Sequence, residues 1–183
     1  GGGISGSLGE ILKHPVVEVD YVELDPTLVE LAKEWLDYKY ISFLDDPRVR
    51  IEHIDGRLFV KRAEKKYDVI IIDLPEPSTA QLNRFYTLEF FHEVKNILAE
   101  NGLVSLGALS SSNYLSGEHQ KFLHCIYKTL ETSFTEIINI PAEDQIIFMA
   151  SNTKGMLTYD RKILSERLRE RNIESLYVSE YQL

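Results

Sequence analysis

Four carboxylates stand at or just after the ends of predicted strands, where their side chains could do chemistry. They are Glu23, Asp55, Asp73 and Glu76. An ionised carboxylate only accepts hydrogen bonds, so such groups can hold hydroxyls, exocyclic amines and ammonium groups. A carboxylate can also accept a proton from a reacting group as a general base. These residue types therefore favour a site that handles sugar hydroxyls and amines.

A glycine-rich turn opens the chain, with Gly-Gly-Gly-Ile-Ser-Gly at residues 1–6. Glycine lets the backbone turn tightly while ligand atoms approach it closely, which predicts contacts at Gly1, Gly3 and Gly6. Glu23 follows about twenty residues later at a strand end, the spacing of an acid that accepts hydrogen bonds from ribose hydroxyls. A flexible end or an expression remnant is the alternative explanation for the glycines. Because the later motifs continue the pattern, we predict a nucleoside cofactor.

The other three acids complete the predicted site. Asp55, followed by Gly56, can accept a hydrogen bond from the exocyclic amine of adenine, although capping the next helix explains it equally well. Asp73 follows the apolar run 69–72 and emerges into the crevice at the end of a strand, where we expect a general base. The stiff prolines around Glu76 hold it near the same opening, so that two carboxylates would orient an amine. A solvated loop is the alternative for both acids.

Composition limits the classes of function. With 183 residues, 44% of them hydrophobic, the chain can bury one substantial core. We expect a nucleoside-binding domain over residues 1–152 and a C-terminal helix and tail over 153–183. The net charge of -9 argues against a nucleic-acid partner. No apolar run approaches the roughly 20 residues that cross a bilayer, and no signal peptide is evident.

Local patterns predict the elements that position these acids. Trp35 is predicted to anchor the core, the run 69–72 to be the most buried strand, and Cys125 to be a buried thiol in a reducing compartment. The order of elements predicts an α/β fold, a doubly wound and mostly parallel sheet that ends in an antiparallel hairpin. The strand that should precede the glycine turn is expected upstream of residue 1, and residues 173–183 are expected to pack back or to join an interface, such as that of a homodimer. The predicted strands are 16–23, 49–54, 67–73, 102–109, 136–140 and 145–150, and the predicted helices are 8–13, 26–36, 55–62, 88–98, 117–132 and 159–171.

Taken jointly, five motifs over about residues 1–150 resemble the spermidine synthase-like aminopropyltransferases, which share the class I methyltransferase fold. The motifs are Gly1–Gly6, Glu23-Leu24-Asp25, Asp46-Pro47-Arg48-Val49, Asp55-Gly56 and Tyr67-Asp68-Val69-Ile70-Ile71-Ile72-Asp73. The Asp73–Thr79 loop looks more like that of family domains fused to membrane segments. The resemblance therefore implies a cytoplasmic protein or the cytoplasmic domain of a membrane protein.

The resemblance also implies a role for each acid. Glu23 would bind the ribose and Asp55 the adenine of decarboxylated S-adenosylmethionine or of methylthioadenosine. Asp73 would accept the proton of the attacking amine, which would be putrescine or a similar polyamine, and Glu76 would stand where the family usually has a substrate-binding Asp. No metal is implied, and the five histidines show no ligand spacing.

One departure from the family pattern keeps other functions open. The family's glycine loop carries an Asp that reaches toward the aminopropyl ammonium, whereas this chain has Ile4 and Ser5 there. An S-adenosylmethionine-dependent methyltransferase would use the same nucleoside-binding residues and would tolerate a substrate carboxylate beside Ile4. A non-catalytic nucleoside-binding or assembly domain of a membrane protein is the third reading. An NAD-dependent oxidoreductase and a serine hydrolase fit less well.

Overall fold

A computed structural model describes residues 1–110, 116–142 and 144–173. These residues divide into two compact units, one formed by residues 1–56 with the described residues from Thr158 onward, and the other by Arg57–Leu157. The helices are α1 Ser7–Leu12, α2 Pro26–Trp35, α3 Tyr38–Ile41, α4 Gly56–Arg62, α5 Ala80–Asn83, α6 Leu88–Ile97, α7 Gly117–Ser133 and α8 Arg161–Glu170. The strands are β1 Val19–Val22, β2 Val49–Glu52, β3 Tyr67–Ile72, β4 Leu98–Leu109, β5 Glu136–Pro141 and β6 Gln145–Ser151.

The first unit is built on a two-stranded parallel sheet. Strand β1 pairs with β2 in register from Val19 opposite Val49 to Val22 opposite Glu52. Parallel strands bring their carboxyl ends to the same edge of a sheet, so the residues that follow β1 and β2 lie at one edge. The buried apolar residues of this unit form one cluster: Leu8, Tyr21, Val29, Ala32, Ile41 and Leu44.

The second unit is built on a four-stranded sheet in the order β3-β4-β6-β5. Strand β3 runs parallel to β4, and β4 and β5 both pair antiparallel with β6. The connection between β5 and β6 is too short for a parallel crossover, so the predicted C-terminal hairpin is confirmed. The core of this unit includes the fully buried side chains of Phe91, Val94, Val104, Leu130 and Phe148.

Side-chain caps explain where several helices begin. The Asp25 carboxylate accepts a hydrogen bond from the Thr27 N–H at 2.9 Å, and Pro26 occupies the first helical position of α2. The hydroxyl of Thr87 accepts from the Phe90 N–H in the same way at the start of α6.

Three predictions of burial were wrong. Trp35 is 76% exposed, because only Val29 and Ala32 of α2 turn toward the core of the first unit. Val69 and Ile71 are exposed, because alternate residues of a strand face opposite sides and only one face of β3 packs on the described core. Cys125 is exposed on α7, where Leu123 and Ile126 take the buried positions.

Strand boundaries differ less than burial does. The predicted strand over residues 16–23 is reduced to Val19–Val22, and Val17 before it is 90% exposed. In the part of the chain described here, the strands of the expected single sheet form two sheets, one of β1 and β2 and the other of β3, β4, β6 and β5. Of the predicted C-terminal tail, only Ile173 lies within the described residues.

Candidate active site

The glycine turn at the start of the chain adopts backbone conformations that suit only glycine. Gly2 and Gly6 have φ angles of 79° and 104°, in the left-handed region. Gly3 is buried, and a Cβ added to it would lie 2.5 Å from Cε2 of Tyr21 and 2.8 Å from Cδ1 of Leu8. The turn therefore requires glycine for its conformation at two positions and for close packing at a third.

Glu23 directly follows β1 and is buried, with 9% of its surface exposed. Its Oε1 accepts a hydrogen bond from the Asp25 N–H at 3.2 Å, and its Oε2 accepts one from the Tyr21 hydroxyl at 3.2 Å. Nδ1 of His53 donates to the backbone oxygen of Glu23 at 3.1 Å. The predicted ribose-binding carboxylate is thus held in one orientation by its neighbours.

Asp55 and Gly56 lie at the same end of the two-stranded sheet as Glu23. The backbone N–H of Glu23 donates to the carbonyl of Glu52, the last residue of β2, at 3.0 Å. Asp55 follows three residues later, and Gly56 begins α4. The nitrogen of Gly1 donates to the Val22 carbonyl at 2.7 Å, which brings the glycine turn to this edge as well. The first unit therefore gathers all six residues predicted to bind the nucleoside.

The second unit contains the other two predicted residues, in the loop after β3. Asp73 is exposed directly after the strand. Glu76 is partly buried, and its Oε1 is inaccessible to solvent with no hydrogen-bond partner among the described residues. A buried carboxylate oxygen without a donor is unfavourable by about 1–3 kcal/mol or more. Glu76 Oε1 therefore retains the capacity to accept a hydrogen bond that the described residues do not supply.

Tyr86 holds this loop in place. Its hydroxyl donates to the carbonyls of Pro75 at 3.1 Å and Leu74 at 3.4 Å, and the residue is only 8% exposed. Burial raises the pKa of Tyr86, and the negative charges of Glu76 and Asp73 raise that pKa further. Tyr86 therefore remains a protonated donor beside both acids.

Sequence reasoning missed Tyr21, His53 and Tyr86. Tyr21 occupies an inward position of an apolar strand, where any large apolar residue would satisfy the pattern. Tyr86 precedes the Thr87 cap, and its position gives no sign of contact with a loop about a dozen residues earlier. His53 follows β2 and contacts the backbone of a residue far away in the chain, which no local pattern reveals.

An ion pair supports the segment that leads to Tyr86. The Arg57 guanidinium donates to both carboxylate oxygens of Glu93, at 2.8 and 2.9 Å, and to the Arg84 carbonyl at 3.1 Å. Both side chains are about one-fifth exposed. The hydrogen bonds from Arg57 lower the pKa of Glu93, and the positive charge of Lys61 adds to this. The pair fixes α4 and α6 to the residue two positions before Tyr86.

We expect Glu93→Gln to lower the free energy of unfolding at pH 7 by about 2 kcal/mol, because Arg57 loses a partly buried charged partner. Since the pKa of Glu93 is lowered by folding, its contribution is present above the ordinary glutamate pKa of about 4.3 and is lost as the pH falls through the lowered value. Urea unfolding of both proteins at pH 7 and pH 3 measures this.

The difference between wild type and Glu93→Gln should therefore shrink at pH 3. Glu100→Gln, at an exposed position of the same unit, is the matched control and should change the free energy by less than about 0.5 kcal/mol at either pH. A difference of equal size at both pH values would contradict the role of the Glu93 charge.

Two features that are absent among the described residues bear on other classes of site. No group of three or more histidine, cysteine, aspartate or glutamate side chains in the described ranges is arranged to hold a metal ion. Among the helices that the structure describes, none has the length and apolar character needed to cross a membrane.

Comparison with known proteins identifies the family. Residues 1–161 match the model of the spermine/spermidine synthase domain. The chain is 33% identical over 186 residues to a polyamine aminopropyltransferase of Sulfolobus acidocaldarius, covering 96% of this chain and 59% of the relative. It is 41% identical over 104 residues to a polyamine aminopropyltransferase of Korarchaeum cryptofilum, covering 57% of this chain and 32% of the relative.

A solved structure gives the same answer. A spermidine synthase in complex with the transition-state analogue AdoDATO superposes with a TM-score of 0.80 and 27% identity, covering 100% of this chain and 62% of that one. Human methyltransferase-like protein 13, at 20% identity and a TM-score of 0.65, shares the fold. The predicted α/β methyltransferase-type fold is thereby confirmed. The chain spans between about a third and three-fifths of the length of the curated relatives and the synthase named here. Its match to the domain model over most of its length shows that this chain belongs to the spermine/spermidine synthase family.

Proposed function

We propose that this protein acts in aminopropyl transfer from decarboxylated S-adenosylmethionine to a small-molecule polyamine such as putrescine. The observation that carries the proposal is the loop after β3, where Asp73 and Glu76 both act electrostatically on Tyr86 and Glu76 keeps a buried oxygen without a partner. An ammonium group of a polyamine would supply the missing donor to Glu76. Family membership supports the same assignment.

In the proposed reaction, a neutral amine nitrogen attacks the carbon of the aminopropyl group that is bonded to the sulfonium. A carbon–nitrogen bond forms, the carbon–sulfur bond breaks, and its electron pair remains on sulfur as methylthioadenosine leaves. The Asp73 carboxylate accepts the proton that the amine nitrogen must lose. The protein contributes orientation and proton transfer, since the positive charge on the sulfonium sulfur already makes neutral methylthioadenosine a good leaving group.

The nucleoside would be held by the first unit. Glu23 would accept hydrogen bonds from the ribose hydroxyls, and Asp55 would accept one from the exocyclic amine of adenine. The backbone around Gly1, Gly3, Gly6 and Gly56 would allow close approach of the ligand. The buried and fixed carboxylate of Glu23 supports the first of these assignments.

One observation favours methyl transfer as a second candidate. Ile4 and Ser5 replace the loop Asp that the family directs at the aminopropyl ammonium, so the chain lacks a carboxylate that would repel the carboxylate of S-adenosylmethionine. The same substitution suits a non-catalytic nucleoside-binding domain. The two acids after β3 favour an enzyme over that last alternative.

The test is calorimetric binding of the protein to decarboxylated S-adenosylmethionine, S-adenosylmethionine, methylthioadenosine and NAD. We expect the decarboxylated form and methylthioadenosine to bind at least tenfold more tightly than NAD, with putrescine-dependent release of methylthioadenosine. Tighter binding of S-adenosylmethionine than of the decarboxylated form would instead support methyl transfer. Nucleoside binding without release in the presence of any amine would favour the non-catalytic alternative.

The proposal places the protein in the cytoplasm. The sequence contains a single cysteine, Cys125, which excludes a disulfide framework within it and fits a reducing compartment. This agrees with a reaction on small amines and a sulfonium nucleoside that needs no oxidising environment.

A further inference from the structure

We infer that Tyr21 is a positioning residue for the nucleoside, because its hydroxyl orients the Glu23 carboxylate toward a pair of ribose hydroxyls. The inference rests on the proposed ribose-binding role of Glu23. Its physical basis is the hydrogen bond of 3.2 Å from the Tyr21 hydroxyl to Oε2 of Glu23, between residues that are 4% and 9% exposed. A hydrogen bond between two buried side chains restricts the orientation of both groups, here the Tyr21 hydroxyl and the Glu23 carboxylate.

The hydrogen bond from Tyr21 leaves acceptor positions on the Glu23 carboxylate available. An ionised carboxylate offers about four acceptor positions on its two oxygens. In Glu23, Oε1 accepts from the Asp25 N–H and Oε2 accepts from the Tyr21 hydroxyl. With respect to the described residues, one position therefore remains on each oxygen. Two free positions on adjacent oxygens match the two neighbouring hydroxyls of a ribose.

The ring of Tyr21 also packs against the glycine turn. Its Cε2 and Cζ atoms lie 2.5 and 2.7 Å from where a Cβ of Gly3 would be. One side chain thus packs under the glycine turn and also donates to the ribose-binding acid. Removing only the hydroxyl separates these two contributions, because phenylalanine keeps the ring that packs against Gly3.

The experiment compares two ligands on three proteins. Methylthioadenosine carries both ribose hydroxyls, and its 2′,3′-dideoxy counterpart carries neither. Both are titrated calorimetrically into wild type, Tyr21→Phe and Tyr38→Phe. Tyr38 lies in the same unit, is 64% exposed and serves as the matched control. Thermal unfolding of each protein is recorded in parallel.

We expect Tyr21→Phe to raise the Kd for methylthioadenosine about fivefold and to change the Kd for the dideoxy ligand less than twofold. Tyr38→Phe should leave both Kd values unchanged. The ratio of the two Kd values is the readout, since a variant that is merely less stable lowers the binding of both ligands together.

Equal weakening of both ligands, or no weakening of methylthioadenosine, would overturn the inference. Absence of binding to wild type would overturn it together with the proposed ribose role of Glu23. A hydroxyl-dependent loss in a protein that transfers no aminopropyl group would uphold Tyr21 and contradict only the proposed reaction, so the two failures are distinguishable.

Discussion

Asp73→Asn is expected to lower kcat for aminopropyl transfer by about 10²- to 10⁴-fold, the range of a lost general base. The amide keeps the shape of the side chain but cannot take the proton from the attacking amine. The Kd for methylthioadenosine should stay within about twofold, because the residues proposed to hold the nucleoside lie in the other unit. Single-turnover kinetics with saturating putrescine and the decarboxylated co-substrate measures the chemical step directly.

Asp68→Asn is the matched control for this experiment. Asp68 is an exposed carboxylate on β3, the strand that Asp73 directly follows, and its neutralisation should leave kcat within about twofold. Activity of Asp73→Asn equal to wild type would remove Asp73 from the proposed role. Loss of nucleoside binding in that variant would instead indicate a structural role.

Glu76→Gln is expected to raise the KM for the amine by about 10- to 100-fold, since a hydrogen bond to a charged group contributes about 1.5–3 kcal/mol. The buried Oε1 has no partner among the described residues, so the substrate ammonium would be its first donor. The amide also removes the charge that attracts a cation. Steady-state kinetics with varied putrescine at fixed co-substrate measures the change.

A pair of variants isolates the charge from the geometry. Glu76→Asp keeps the charge but withdraws it by one methylene, so its KM for the amine should lie between those of wild type and Glu76→Gln. Glu64→Gln, at an exposed position of the same unit, should leave the KM unchanged. An unchanged KM for the amine in Glu76→Gln would contradict the proposed role of Glu76 in binding the amine. A higher KM for the co-substrate alone would indicate that Glu76 binds the co-substrate and not the amine.

The acids could be located from the sequence because each terminates a local pattern. Glu23 and Asp73 follow runs of apolar residues, and parallel strands place such residues at a ligand-binding edge. The hydrogen-bond partners of these acids and of their loops could not be predicted from the sequence. Whether Glu23 accepts a bond from Tyr21, and whether Tyr86 donates to the Pro75 carbonyl, depends on packing between segments that no local period encodes.

Burial was harder to predict than secondary structure. The helical spacing of α2 correctly gave a helix, but Trp35 lies on the side that the described core does not cover. The run 69–72 gave the strand correctly, yet apolar residues on both sides of β3 do not require both sides to be covered. Periodicity states which residues share a side of an element, and only the tertiary neighbours decide which side is buried.

The exposure of Trp35 and Cys125 has a practical consequence. The chain contains one tryptophan and one cysteine, and both side chains are exposed. Trp35 lies in the first unit and Cys125 in the second. A fluorescence acceptor attached to the Cys125 thiol would therefore form a unique energy-transfer pair with Trp35. The natural sequence thus carries its own donor and its own labelling position, so the distance between the two units can be followed in solution without any substitution.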